Sequence, residues 1–109
     1  MASRTKIIAV DFDGTITEES EWPVTGRIRP EAIRVLKNLK KSYIILLWTA
    51  RTGRDLEEAL NLIHTSGIEI DYVNWLPGQT GNKPRADIFI DDRSLGFEVD
   101  WNKIEKMLL

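Results

Sequence analysis

Two aspartates, Asp11 and Asp13, flank Phe12 and run into Gly14-Thr15 directly after the apolar stretch Ile7-Ile8-Ala9-Val10. Side chains two apart on a strand share a face, so both carboxylates can meet one cleft at the strand's end. Like charges held that close are costly unless a cation or a shared proton relieves them. Two more acids, Asp91 and Asp92, follow a second apolar stretch, Ile88-Phe89-Ile90, and Thr49 follows a third at 43–48. Lys83 stands just ahead of the second stretch. Three or four carboxylates around one point form a hard oxygen donor set of the kind magnesium takes while keeping waters that a substrate can replace. A phosphate adds charge that the acids alone would repel. The metal reverses that repulsion, and the Thr49 hydroxyl and the Lys83 ammonium can hold the remaining oxygens. Metal, cation, hydroxyl donor and carboxylate nucleophile are the parts of a phosphoryl-transfer site.

These residues need strand ends to carry them, and the chain supplies strands alternating with helices. Residues 7–10 read as the first strand. Residues 18–29 are polar, contain Pro23 and Gly26, and read as a loop or small flap. Pro30 suits a first helical position, and Ala32, Ile33, Leu36 and Leu39 repeat at helical spacing behind it. The continuous apolar run at 43–48 is that of a central parallel strand covered on both faces. Thr52 or Asp55 can cap a second helix, with an acid three residues on in each case. Leu56, Leu60 and Ile63 are expected on its buried face, and Gly67 ends it. Residues 68–73 hold a short third strand, and 74–84 form a loop broken by Pro77, Gly78, Gly81 and Pro84. Residues 87–90 are the fourth strand. Asp100 or Asn102 starts a terminal helix through Ile104, Met107 and Leu108.

That rhythm predicts an α/β fold: a three-layer, Rossmann-like parallel sheet of four to five strands with helices on both faces. In such sheets ligands bind outside the carboxyl ends of the strands, where strand order reverses. The candidate residues fall at those ends or just before them.

The whole chain limits the alternatives. Its 109 residues fit one domain, 1–109, and 42% apolar with 29% charged residues is an ordinary folded composition. A formal net charge of −2 gives no basic footprint for nucleic acid, although a nucleotide or a strand end is still admissible. With no cysteine there is no disulfide, thiolate metal site or cysteine nucleophile. The apolar stretch near the N-terminus is too short for a signal-peptide core, and the run at 43–48 is too short to span a membrane. A cytoplasmic protein is the expectation, without membrane association.

Asp11-Phe12-Asp13-Gly14-Thr15 resembles the first motif of the haloacid dehalogenase-like (HAD) phosphohydrolase superfamily. Leu46-Leu47-Trp48-Thr49 resembles its second motif, Lys83 matches the third, and Phe89-Ile90-Asp91-Asp92 resembles the fourth, all in the family's order. The resemblance implies a magnesium-dependent phosphomonoester hydrolase. Asp11 would attack phosphorus and carry a phosphoaspartate, and Asp13 would protonate the leaving oxygen and then activate water. Thr49 and Lys83 would bind the phosphoryl group, with backbone donors near Asp13 and Gly14 and beside Thr49 assisting. Magnesium would sit on Asp11, the backbone carbonyl of Asp13 and Asp91, with Asp92 assisting. Larger members carry a cap domain after the first motif or between the second and third. The gaps here hold a flap and one helix, or one helix, one strand and a loop, so a capless catalytic domain is expected. The cap often sets substrate choice in this family. The phosphorylated substrate is therefore left as a small metabolite, a nucleotide or a macromolecular phosphate end, in a site left open or covered by a second copy in a homo-oligomer.

Other readings are weaker. A calcium loop counted from Asp11 needs a bidentate Glu at its twelfth position, where Trp22 stands. A receiver-like module that stores phosphate on an aspartate also combines acids, a hydroxyl and a lysine. Its acid pair is usually adjacent, however, whereas Asp13 lies two residues after Asp11, a placement to activate water that favours turnover over storage. A catalytically silent scaffold would be expected to lack a motif. Lys83 is preferred to Arg85 as the phosphate cation for its motif spacing. Arg51 and Arg93 can bind substrate or form surface ion pairs. His64 reads as a helix-end residue and Trp48 as core. Trp22 and Trp75 can flank the cleft or pack the flap.

Overall fold

A computed structural model describes residues 5–22, 24–79, 85–91 and 99–109. Strand β1 (Ile7–Val10) lies inside the sheet, paired in parallel with β2 (Ile44–Leu47) on one side and β4 (Ile88–Ile90) on the other. The short β3 (Tyr72–Val73) adds to the outer edge of β2, giving the order β3-β2-β1-β4. Val10 pairs with both Leu47 and Ile90, so this register makes the three strands end level.

The order dictates where the covers lie. The steps from β1 to β2 to β3 run the same way, so right-handed crossovers put their helices on one face. Helix α1 (Pro30–Leu39) brings Ala32, Val35, Leu36 and Leu39 onto Ile8, Val10, Ile45 and Leu47, and α2 (Gly53–Ser66) brings Ala59 and Ile63 onto the same face. Helix α3 (Trp101–Leu108) joins them through the buried Trp101. From β3 to β4 the chain must reverse direction, and the same handedness sends that connection over the other face. There Leu76 packs on Ala9 and Leu46, with Ile7, Trp48, Tyr72 and Ala86 around it. The sheet is thus the middle of three layers in a Rossmann-like α/β domain. Its second cover, among the described residues, is the connecting chain, and Phe89 on that side is 40% exposed.

Two of the expected helix starts hold: Pro30 opens α1, and the Asp100 carboxylate accepts from the Lys103 N–H at 3.1 Å at the start of α3; Thr52 stands at the N-cap of α2 but makes no side-chain cap bond. Gly67 ends α2 at φ 87°, a left-handed position that suits glycine. The buried face of α2 is centred on Ala59 and Ile63, with Leu60 and Leu62 partly buried against it. Leu56, expected in that face, is only half-buried. The short third strand expected within 68–73 is there, at Tyr72–Val73. Just ahead of it Asp71 extends the pairing with β2: its N–H reaches the Ile45 carbonyl at 2.8 Å and its carboxylate accepts from the Ile45 N–H at 2.8 Å.

Between β1 and α1 the chain makes one wide turn over 12–16, closed by the Thr17 N–H on the Phe12 carbonyl at 3.1 Å, and then a narrow flap. The flap's base is an antiparallel bridge between Thr17 and Ile28, with Glu18 N–H on the Arg27 carbonyl at 2.7 Å. Gly26 is required there, because a Cβ would stand 2.1 Å from the Glu18 carbonyl oxygen. The described residues contain no cap domain. No described helix is long and apolar enough to cross a membrane.

Helix α3 is latched to α1 by Glu105, which accepts from Arg34 Nη1 at 2.6 Å and Asn38 Nδ2 at 2.9 Å. The Asn38 bond first, and Arg34 second, hold the Glu105 carboxyl below its ordinary range. A lowered folded-state value stabilises the fold at pH above the ordinary carboxylate range, and that contribution fades as pH falls through the folded value. Glu105→Gln should therefore lower the urea midpoint at pH 7, and the gap to the parent should close below pH ~4. A gap independent of pH would refute the charged latch.

Candidate active site

The level strand ends set the geometry. Asp11 is the first residue beyond β1, and its N–H bonds the Ile90 carbonyl at 3.0 Å, so Asp91 follows at the end of the adjacent strand. On the other side the Trp48 N–H bonds the Val10 carbonyl at 2.9 Å, which brings Thr49 to the same edge. Asp11 and Asp13 line a cleft of about 430 Å³ together with Gly14, Glu19, Ser20, Trp22 and Ala50. Flap and strand ends therefore share one opening. Lys83 and Asp92, and with them Arg93, lie outside the described residues.

The opposite edge of the sheet gives a contrast. Asp71 and Asp87 also sit beside strands, but their carboxylates accept the backbone N–H groups of Ile45 at 2.8 Å and Ile7 at 2.7 Å. Those acids extend the strand pairing. At the carboxyl edge the Asp11 carboxylate accepts the Thr15 hydroxyl at 3.3 Å and lines the cleft.

Asp13 turns elsewhere. Both its oxygens accept from Arg51, Oδ2 from Nε at 2.8 Å and Oδ1 from Nη2 at 2.6 Å. The Arg51 side chain is wholly buried, whereas that of Asp13 is 32% exposed. Arg51 also donates through Nη1 to the Asp55 carbonyl at 3.3 Å, and its Cζ stands 5.2 Å from the ring centroids of Phe12 and of Trp22. Each aromatic contact is worth about 0.5–2 kcal/mol, depending on how dry it is. The hydrogen bonds to Asp13 hold the guanidinium above its already high ordinary range. Burial opposes this, and the charges of Asp13, Asp55 and Glu58 add to it. Arg51 is thus neither a surface ion pair nor a side chain open to the cleft.

Other groups fix the turn itself. Gly14 takes φ 77°, its N–H donates to Thr17 Oγ1 at 3.1 Å, and Thr17 Oγ1 donates to the Phe12 carbonyl at 3.4 Å. Arg29 ties the turn from outside, Nε to the Thr17 carbonyl at 3.0 Å and Nη2 to the Gly14 carbonyl at 3.2 Å. Trp101 Nε1 donates to the Thr15 carbonyl at 2.9 Å from the helical layer. Thr49 is held by Asn74, whose Oδ1 accepts the Thr49 N–H at 2.7 Å and whose Nδ2 donates to the Thr49 carbonyl at 2.9 Å. The Thr49 hydroxyl oxygen accepts the Arg51 N–H at 3.1 Å, so its proton is the part it can offer outward.

The backbone N–H groups of Gly14 and Thr49 themselves are engaged inside the protein, on Thr17 and Asn74. The sequence reading missed Asn74 and Arg29. Asn74 carried a signal, since asparagine after a short strand is a residue that tolerates the left-handed backbone it adopts, φ 55°. Arg29 carried none, because its partners are carbonyls.

Among the described residues no three His, Cys, Asp or Glu side chains form a ready cation cage. The donor chemistry still suits magnesium: carboxylates at adjacent strand ends, Asp11 and Asp91, beside a turn held by its carbonyls. Asp13, its carboxylate on Arg51, would contribute through its backbone carbonyl.

Asn74→Ala removes both partners of the Thr49 peptide and places a Cβ-bearing residue without a local hydrogen bond at positive φ. It should destabilise the fold by about 1–3 kcal/mol in urea melts. Asn74→Gly, which relieves only the backbone, should recover roughly 0.4–1 kcal/mol of that loss. Full recovery by glycine would show that the side-chain clamp contributes nothing.

No family model and no curated protein matches the chain significantly. Among solved structures, a conserved protein coded by a locus from Bacteroides thetaiotaomicron superposes with a TM-score of 0.85 at 38% sequence identity, over 95% of this chain and 89% of that one. At that identity over nearly the whole of both chains, this protein belongs to the family of that conserved Bacteroides protein.

Proposed function

We propose that the protein is a magnesium-dependent phosphomonoester hydrolase of the HAD type, working through a phosphoaspartate on Asp11 in a cytoplasmic setting. The observation that carries this reading is the level ending of β1, β2 and β4. It sets Asp11, Asp91 and Thr49 along one edge, with Asp11 and Asp13 on a shared cleft. That the acids of the opposite edge serve strand pairing supports it further.

A carboxylate oxygen of Asp11 attacks phosphorus as the bond from phosphorus to the ester oxygen breaks. The leaving oxygen takes its proton from Asp13. Water then gives a proton back to Asp13 while its oxygen attacks the acyl phosphate, releasing inorganic phosphate and the Asp11 carboxylate. Arg51 engages one lone pair on each Asp13 oxygen, and a second lone pair on each is left to carry that proton. The Thr49 hydroxyl donates to a phosphoryl oxygen, and Lys83 supplies the cation. Magnesium, held by Asp11, Asp91 and the Asp13 carbonyl with Asp92 assisting, would neutralise the phosphoryl charge when bound.

The test is hydrolysis of p-nitrophenyl phosphate with magnesium, alongside a panel of nucleotides, sugar phosphates and phosphorylated polynucleotide ends. Turnover should require the metal and disappear in Asp11→Asn. Asp13→Asn should slow it by about 10²–10⁴-fold. Full activity in Asp11→Asn, or a parent inactive on every substrate, would sink the proposal. A stable phosphoaspartate with little turnover would mark a receiver-like module instead.

A further inference from the structure

We infer that Arg51 is the positioning residue for Asp13, and that the flap acts on the chemistry through it by way of Trp22. This rests on the hydrolase reading and assigns a role to two residues that none of the four motifs contains. Three observations converge. The first is the fork: Arg51 Nε and Nη2 take the two Asp13 oxygens at 2.8 and 2.6 Å. A two-point planar contact fixes the carboxylate's orientation as well as its place, which a lysine's single ammonium does not. The second is the way Arg51 is itself held. Its side chain is wholly buried, Nη1 is anchored on the Asp55 carbonyl in the first turn of α2, and its N–H is tied to Thr49 Oγ1. One residue thus links the hydroxyl donor on the β2 side to the proton carrier on the β1 side. The third is the pair of rings, Phe12 and Trp22, each 5.2 Å from the guanidinium carbon. Phe12 is fully buried between the two aspartates in sequence, and Trp22 is 59% exposed at the flap. The guanidinium thus joins a buried ring of the turn after β1 to an exposed ring of the flap.

Asp13 projects from a turn that contains Gly14, so its direction is not fixed by strand geometry alone. Arg51 sets it, and Trp22 keeps Arg51 from swinging toward solvent. Displacing a proton donor by about 1 Å costs on the order of 10²-fold in rate. Arg51→Gln should therefore lower kcat by about that factor with little change in KM, and Arg51→Lys should restore only a small part of it. Trp22→Ala should lower kcat more mildly, and Trp22→Phe, which keeps a ring over the guanidinium, should restore it.

The deciding experiment is a double-mutant cycle on p-nitrophenyl phosphate with magnesium. In an Asp13→Asn background, Arg51→Gln and Trp22→Ala should produce no further fall in kcat, because the carboxylate they position is gone. Equal losses in both backgrounds, or losses in KM with kcat intact, would overturn the inference while leaving the hydrolase reading standing. Absence of turnover in the parent would overturn both. Should Arg51→Gln fail to fold, the Trp22 arm decides alone, since that side chain lies largely at the surface.

Discussion

Parallel pairing around β1 holds the whole arrangement in place. The backbone bonds from β1 to its two neighbours together fix the register of three strands, and that register makes Val10, Leu47 and Ile90 end together. A slip of one residue would turn every side chain of a strand to the opposite face. The core face of β1, Ile8 and Val10, would then meet the thin second cover in place of three helices. The register is therefore locked by burial, and it decides the placement of Asp11, Thr49 and Asp91.

The same sheet treats its two edges differently. At the amino edge, aspartates complete the ladder by accepting backbone N–H groups, so their negative charge is absorbed locally. At the carboxyl edge, the turn after β1 is held by groups that leave the aspartates to face a cleft: Thr17 from within, Arg29 and Trp101 from outside. That support is costly in polar groups. The Arg29 guanidinium and the Trp101 indole each satisfy backbone carbonyls that a helix or strand would have satisfied by itself. An open turn at the end of a buried strand is stable only with such help.

The buried Arg51 follows the same logic in electrostatic terms. A guanidinium removed from water is tolerable only when paired and hydrogen-bonded, and losing one partner of such a pair typically costs about 3–5 kcal/mol. Asp13 is that partner, while its own partial exposure keeps it in reach of the cleft. A single pair thereby ties the turn after β1 to the chain entering α2, so that the strand ends behave as one body.

Much of this was legible in the sequence, and the reason is locality. The apolar runs, the helical spacing after Pro30, the Gly67 stop and the acids at strand ends are properties of neighbouring residues. They determined the α/β class, the polar carboxyl edge of the sheet and the candidate set Asp11, Asp13, Thr49 and Asp91. Lys83 and Asp92 belong to that set by sequence and fall outside the described residues. What needed the tertiary structure were partnerships between residues distant in the chain. Arg51 read equally well as substrate contact or surface charge until packing buried it against Asp13, 38 positions away. Asn74 and Arg29 bind backbone, which carries no sequence signature, and the second face was covered by a connecting chain because strand order, not helix propensity, decides which side a crossover takes. Local spacing determines which groups stand at a strand's end; only the closed fold decides what each of them faces.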